Sequence, residues 1–125
     1  MASILIVDDD RDGRDALCQY LQRTGYEVEC VADGRDALAA VLARTPDLIV
    51  LDMFMPQMDG GGLLEILRSY LRLQSLPVVV LTGLPDSPLV ERARFLKVNA
   101  ILVKGKATLE DIGRAVQAEL PRAPK

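Results

Sequence analysis

Two hydrophobic patterns alternate along the chain. Runs of four or five apolar residues predict buried strands, and segments in which apolar residues recur every three or four positions predict amphipathic helices. The strands are predicted at residues 3–7, 26–31, 47–51, 78–81 and 100–103. The helices are predicted at about residues 11–24, 34–44, 61–73, 88–98 and 109–120.

Residues that favour turns and helix ends separate these elements. Gly25 ends the first helix, Asp33 can cap the second, and Pro46 breaks the chain before the third strand. Thr108 and Asp111 form a capping-box-like start to the last helix. Because no repeat or interdomain linker interrupts the pattern, it predicts a single domain.

The order of the elements predicts a flavodoxin-like, doubly wound α/β fold, (βα)5, with a five-stranded parallel sheet. Four strands are continuous apolar runs, as is typical of strands covered on both faces. The second strand, "YEVECV", alternates apolar and acidic residues and is therefore predicted at an edge. A strand order of 2-1-3-4-5 satisfies this pattern and makes the first and third strands neighbours at the topological switch point.

Composition narrows the functional classes. The 125 residues are 50% hydrophobic and 26% charged, which is ordinary for one globular domain. The formal net charge of −3, without a basic cluster, argues against a surface for nucleic acids or anionic membranes. No apolar run could span a bilayer, and the N-terminus lacks a signal-peptide pattern. We therefore expect a cytoplasmic protein in which Cys18 and Cys30 are reduced thiols.

The sequence contains no histidine. This absence excludes a Ser-His-Asp triad, a Cys-His pair, a histidine zinc site and a phosphohistidine carried by this chain. Any chemistry must rely on carboxylates, hydroxyls and lysines.

Polar residues follow each of the four apolar runs. They are Asp8, Asp9 and Asp10 after the first strand, Asp52 after the third, Thr82 after the fourth and Lys104 after the fifth. Because the carboxyl ends of parallel strands lie at one edge of a sheet, these side chains are predicted to share one crevice. Carboxylates so close together repel one another unless a cation lies among them, and oxygen ligands favour Mg²⁺, with Mn²⁺ as an alternative. Alone, each residue is more simply a cap, a turn residue or a solvated charge; together they indicate a site.

The order and spacing of four segments resemble the receiver domain of bacterial two-component response regulators. The segments are "ILIVDDD", "PDLIVLDMFMPQMDG", "LPVVVLTG" and "AILVKG". The resemblance covers essentially the whole chain. It implies a receiver domain over residues 1–120 and a short C-terminal tail over residues 121–125.

By this resemblance, Asp52 is the phosphoacceptor, whose carboxylate attacks the phosphorus of a phosphohistidine on another protein. Thr82 would hydrogen-bond a phosphoryl oxygen, and Lys104 would neutralise another. No turnover enzyme is expected. The domain would catalyse only its own phosphorylation and a slow dephosphorylation.

The resemblance also assigns the metal ligands. Asp9 would bind Mg²⁺ directly and Asp8 through water, together with Asp52 and the backbone carbonyl of Phe54. The implied partners are a sensor histidine kinase or a histidine phosphotransfer protein, and an output partner that the sequence does not identify. A homodimer through the fourth helix, fifth strand and fifth helix is a further option, and neither nucleic acid nor membrane is expected to bind this domain.

Three positions depart from the family pattern. Gly105 follows Lys104 where the family usually has proline, so we expect a trans peptide and a less firmly held lysine. Ile101 stands where the family usually has Tyr or Phe, which predicts weaker or differently routed coupling to the output face. Gly83 stands where a small residue such as alanine is usual, which is a minor change.

Phe54 and Leu84 flank the expected path of the hydrolytic water, and because neither side chain can orient a water, we expect a long-lived phosphoryl group.

Two alternatives remain open from the sequence. Asp8 and Asp10 imitate the nucleophile motif of haloacid-dehalogenase-type phosphatases, but the later strands end in Thr82 and Lys104 rather than in that family's acidic motif. The other alternative is a pseudo-receiver that acts only as a protein-interaction module. The complete acidic set argues against it, whereas Ile101 and Gly105 favour it.

Overall fold

The computed structural model of the chain describes residues 1–55 and 58–120. Strands and α-helices alternate through these residues, as predicted. The strands are β1 (Ser3–Val7), β2 (Glu27–Val31), β3 (Leu48–Asp52), β4 (Val78–Thr82) and β5 (Ala100–Val103). The helices are α1 (Arg11–Arg23), α2 (Gly34–Ala43), α3 (Gly60–Ser69), α4 (Pro88–Phe95) and α5 (Leu109–Glu119), with a short 3-10 helix at Leu71–Leu73. The predicted tail at residues 121–125 lies outside the described residues.

The strands form one parallel sheet in the order β2-β1-β3-β4-β5, which confirms the predicted fold and strand order. In the register of the sheet, Val7 lies opposite Leu51, and Asp52 lies opposite Leu81. The central strands therefore end almost level with one another. The residues at and just after their carboxyl ends lie along one edge of the sheet.

Alternating side chains of the central strands fill two hydrophobic clusters, one on each face of the sheet. The α1–α5 cluster contains, besides strand residues, Leu17, Leu21, Ile112 and Val116. The α2–α4 cluster contains, besides strand residues, Ala37, Val41, Leu63, Leu64, Leu67, Val90 and Ala93. Each face is covered by helices, which explains why the central strands are continuous apolar runs.

The predicted cover of the fifth strand on both faces is only partial. All four residues of β5 are only half-buried. β5 lies at the edge of the sheet and has a single neighbouring strand, β4. Its apolar sequence therefore reflects partial cover by the helices on both faces rather than a central position.

The predicted ends of the third and fourth helices are wrong, because both helices end three or four residues earlier than predicted. Helix α3 ends at Ser69 because Tyr70 adopts an extended conformation, with φ −88° and ψ 128°. Helix α4 ends at Phe95, and Lys97 beyond it takes the left-handed conformation, with φ 61°. The Arg68 guanidinium holds this region by donating to the carbonyl oxygens of Leu73, Leu76 and Leu96 at 2.9, 2.9 and 2.8 Å. No helix within the described ranges has both the length and the apolar composition that a membrane crossing requires.

Cys18 on α1 and Cys30 on β2 are free thiols, as predicted. Both are partly buried against the α1–α5 cluster. Burial, together with a hydrogen bond involving Cys18, raises the pKa of the Cys30 thiol to about 12. That thiol therefore stays protonated at neutral pH and contributes to packing rather than to chemistry.

Candidate functional site

The carboxyl ends of β1 and β3 carry the acidic residues that the sequence singled out. Asp52 is the last residue of β3, and Asp8 directly follows the last residue of β1. Asp8 and Asp52 are buried, whereas Asp9 is exposed. Each of these three residues offers one carboxylate oxygen, and the three oxygens lie within 4.8 Å of one another. Three carboxylates at this spacing, two of them shielded from water, fit a hard divalent cation that prefers oxygen ligands.

Lys104 follows β5 and reaches the buried carboxylates. Its Nζ lies 2.9 Å from Oδ2 of Asp8 and 3.4 Å from Oδ2 of Asp52. The next peptide bond is trans, as expected, and Gly105 has a φ of 85°. The ammonium group contacts both carboxylates and places a positive charge beside Asp52.

Thr82 is the last residue of β4 and is fully buried. Its hydroxyl oxygen accepts a hydrogen bond from the Leu84 N–H at 3.0 Å. Its carbonyl accepts one from the Lys104 N–H at 2.9 Å. The hydroxyl hydrogen stays available as a donor, because the oxygen acts as the acceptor in the bond to Leu84. The four strand-end positions predicted from the sequence thus lie along one edge of the sheet.

Comparison with known proteins identifies this arrangement. The sequence model of the response regulator receiver domain matches residues 4–117. The chain belongs to the response regulator receiver domain family. The match begins in β1 and ends in α5, so it includes nearly all of β1, the other four strands and every residue of the site.

Individual relatives agree with the family assignment. The transcriptional regulatory protein GltR of Pseudomonas aeruginosa is 39% identical over 84 residues, which are 67% of this chain and 35% of GltR. The chemotaxis protein CheY4 of Vibrio cholerae superposes with a TM-score of 0.87 at 33% identity, over 96% of this chain and 99% of that chain. The response regulator Rcp1, in its Mn²⁺-bound form, gives a TM-score of 0.79 at 26% identity, over 92% of this chain and 89% of Rcp1. The receiver domain spans about a third of the length of GltR.

Backbone hydrogen bonds hold Asp52 within the receiver domain. The Phe54 N–H donates to Oδ1 of Asp52 at 3.2 Å, so the chain folds back over the carboxylate. The Gly60 N–H donates to the Met53 carbonyl at 3.1 Å and joins the start of α3 to the end of β3. Gly60 was not singled out in the sequence as a site residue. The only sequence signal was the run of three glycines that begins at this position, and a turn explains such a run equally well.

The turn between β1 and α1 is held as closely as the end of β3. The Asp10 N–H donates to Oδ1 of Asp8 at 2.9 Å, and the Asp8 N–H donates to the Val31 carbonyl at 3.1 Å. Arg14 of α1 donates from Nη1 to the Asp8 carbonyl at 2.8 Å. Arg14 could not be predicted from the sequence as a site residue, because a single arginine on an amphipathic helix carries no signal of its own.

The grouping of acids argues against the haloacid-dehalogenase alternative. That mechanism needs Asp8 and Asp10 on one site. In the described part of the receiver domain, the converging carboxylates belong to Asp8, Asp9 and Asp52. Asp10 is not part of that group of carboxylates and is the N-cap residue of α1.

The electrostatics of the receiver site centre on Asp52. Burial raises the pKa of the Asp52 carboxyl from its ordinary 3.8 to about 6, and the nearby Asp8 charge adds to the rise. The hydrogen bond from Phe54 and the charge of Lys104 oppose it without cancelling it. For Lys104, burial favours the neutral amine, but the hydrogen bond to Asp8 and the charges of Asp52 and Asp8 outweigh burial and raise its pKa. Lys104 is therefore cationic at neutral pH.

We expect Asp52→Asn to stabilise the metal-free domain near neutral pH. Because the pKa of Asp52 is higher in the folded state, the folded chain binds more protons than the unfolded chain between about pH 4 and 6, and stability falls as the pH rises through that window. Removing the charge should raise the free energy of unfolding by about 1–2 kcal/mol at neutral pH, after discounting for solvent access. Urea unfolding in a metal chelator, at several pH values, measures this difference. The stability gained by Asp52→Asn should shrink towards about pH 4. A gain that is larger in acid would contradict the raised pKa of Asp52.

Proposed function

We propose that this receiver domain accepts a phosphoryl group on Asp52 from a phosphohistidine of a sensor kinase or a histidine phosphotransfer protein, in a reaction that requires Mg²⁺. One observation carries the proposal: the buried Asp52 ends a central strand with a lysine ammonium 3.4 Å away and two further carboxylates beside it. A nucleophile, a fixed cation and a set of cation ligands are the parts that phosphoryl transfer needs.

The chain's own residues supply most of the chemistry. A carboxylate oxygen of Asp52 forms a bond to phosphorus while the bond from phosphorus to the donor imidazole nitrogen breaks, which leaves an acyl phosphate. Lys104 neutralises charge on one phosphoryl oxygen, and the Thr82 hydroxyl donates to another. Mg²⁺, when bound, neutralises phosphoryl charge and orients the group beside the nucleophile.

The cation would be held by Asp9, by Asp8 through water, by Asp52 and by the carbonyl of Phe54. The three carboxylate oxygens within 4.8 Å support the first three assignments. The Mn²⁺-bound form of Rcp1 shows that a related protein takes a divalent ion. Mg²⁺ is the proposed resident ion because it prefers carboxylates and water, and Mn²⁺ is the alternative.

The output of the domain follows one of two arrangements. GltR is a transcriptional regulatory protein of which the matched region is 35%, whereas CheY4 is covered over 99% of its length. A longer regulatory protein that contains this domain and a stand-alone signalling domain are therefore both consistent with the relatives. In either arrangement we propose that the face formed by α4, β5 and α5 contacts the output partner or a second copy. Phe95, with 79% of its surface exposed on α4, supports this assignment.

A second candidate, the pseudo-receiver, is favoured by one observation. Ile101 lies opposite Val80 in the sheet and packs partly buried against the α2–α4 cluster. An isoleucine held in this way has no ring to swing between Thr82 and solvent. In this candidate the domain takes the phosphoryl group or its mimic without changing its output face.

Phosphorylation by a small donor tests the proposed function. The chain, incubated with acetyl phosphate and Mg²⁺, should gain one phosphoryl group by intact mass spectrometry. Asp52→Asn should gain none, and a chelator should prevent the gain in the wild type. Labelling of Asp52→Asn at the wild-type rate would refute the assignment.

The same material separates the two candidates. Backbone amide shifts are recorded before and after a beryllofluoride phosphoryl mimic is added with Mg²⁺. Shifts that extend from the site to α4, β5 and α5 support a switching receiver. Shifts confined to the strand ends support the pseudo-receiver.

A further inference from the structure

Every polar group of Asp8 has a partner, and the hydrogen-bond donor to its carbonyl oxygen is Arg14. The Asp8 N–H is bonded to Val31, and its carboxylate contacts Asp10 and Lys104. The half-buried Arg14 donates from Nη1 to the carbonyl oxygen at 2.8 Å. A side chain near the start of α1 therefore holds the backbone just after β1 by a hydrogen bond.

The atom that Arg14 holds determines where Asp9 lies. A peptide group is planar, so the carbonyl oxygen of Asp8 lies in one plane with the nitrogen and Cα of Asp9. Because the Asp8 N–H is held by Val31, holding that oxygen as well restricts rotation of the peptide plane and so restrains the Cα from which the Asp9 side chain starts. Asp9 is exposed, so its carboxylate lacks the packing that surrounds the buried Asp8. Its direction thus depends strongly on the backbone.

We propose that Arg14 is a positioning residue for the divalent-cation site: it holds the peptide between Asp8 and Asp9 so that both carboxylates face the cation. This inference rests on the proposed function, because it assumes that the acidic cluster binds Mg²⁺. Arg14 contacts the backbone carbonyl of a ligand residue and does not itself bind the cation. Residues that orient metal ligands in this way strongly affect affinity although they never touch the metal.

Charge and positioning make opposite predictions for this residue. The guanidinium is a cation near a cation site, so its charge by itself opposes the binding of Mg²⁺. If charge were the dominant effect, removal of Arg14 would tighten Mg²⁺ binding. If positioning dominates, removal weakens it. The sign of the change therefore decides between the two effects.

The experiment measures the Mg²⁺ dissociation constant of the full chain by calorimetry, with amide chemical shifts as a second readout. The variants are Arg14→Met, which keeps the apolar stem, and Arg14→Lys, which keeps the charge and a donor. The matched control is Arg11→Met on the same helix, where the arginine side chain is 84% exposed and pairs with Asp15. Unfolding in urea with a chelator, for every variant, separates loss of fold from loss of affinity.

We expect Arg14→Met to weaken Mg²⁺ binding about tenfold and Arg14→Lys to recover part of the loss. Arg11→Met should bind Mg²⁺ as tightly as the wild type or slightly more tightly, since only charge is removed. Wild-type affinity or tighter binding in Arg14→Met would overturn the positioning role. If Arg14→Met does not fold, Arg14→Gln is judged by the same criterion. A wild-type chain that binds no Mg²⁺ would overturn the proposed function, and this inference with it.

Discussion

Gly60→Ala is expected to destabilise the domain by about 2–3 kcal/mol, because the added methyl group would overpack a site with no free space. A Cβ at this position would lie 2.8 Å from Cα of Met53 and 2.9 Å from the carbonyl oxygen of Asp52. These are backbone atoms of the last residue of β3 and of the residue after it, so they cannot rotate away. Relief requires α3 to move off the end of β3, which also lengthens the hydrogen bond between Gly60 and Met53.

The same displacement should slow phosphorylation of Asp52 by acetyl phosphate about tenfold to a hundredfold, since a shift of about 1 Å can have this effect on a reaction governed by positioning. Gly62→Ala is the matched control. Its Cβ would meet atoms of Asp59 and Met58 at an ordinary 3.6 Å, so stability and rate should stay near the wild-type values. Urea unfolding and mass spectrometry provide the two measurements. Equal behaviour of the two variants would show that the close approach at Gly60 is not a constraint.

Release of phosphate from phosphorylated Asp52 is expected to be slow, and about tenfold or more faster in a Phe54→Asn, Leu84→Glu double variant. The Leu84 N–H is bonded to the Thr82 hydroxyl, so Leu84 is held beside the site, and the residue is 59% exposed. Phe54 is half-buried against the α2–α4 cluster. Neither side chain can orient a water for attack on phosphorus, whereas an amide and a carboxylate can. The expected acceleration of phosphate release lies below the roughly 10²–10⁴-fold effect of an optimally placed acid or base.

Phosphate release from the purified phosphoprotein in Mg²⁺ measures this effect. The single variants show which position matters, and the geometry assigns the larger share to Leu84, because Phe54 is partly occupied by packing. Leu71→Glu, at a residue that is 83% exposed on the 3-10 helix, is the control for adding a surface charge. A wild-type rate equal to or above that of the double variant would contradict the expectation.

The fold and the strand-end site were predictable because each depends on a simple periodic rule. Continuous apolar runs predicted β1, β3 and β4, and the parallel arrangement required Asp8, Asp52 and Thr82 to share one edge. The half-buried β5 shows the limit of the rule, since an apolar run does not reveal how completely the helices cover each face of a strand.

What the sequence did not predict depends on contacts between distant segments or on unusual backbone conformations. The bond from Arg14 to the Asp8 carbonyl joins a side chain to a backbone atom, and no residue type at position 8 signals it. The contact at Gly60 depends on the spacing between α3 and β3. Lys97, just beyond the end of α4, adopts the left-handed conformation. Glycine or asparagine at that position would have indicated this conformation in the sequence, and lysine does not.

Gly105 has a consequence for protein engineering. Designers often stabilise a protein by restoring the residue that is usual in its family, and by the family pattern that the sequence resembles that residue would be proline after Lys104. Proline fixes φ near about −65°, whereas Gly105 has a φ of 85°. The consensus residue is therefore incompatible with this loop, and a single exchange would have to rebuild the backbone that carries the lysine. Glycine and proline therefore require different backbone conformations after Lys104, so the exchange needs compensating changes at more than one position.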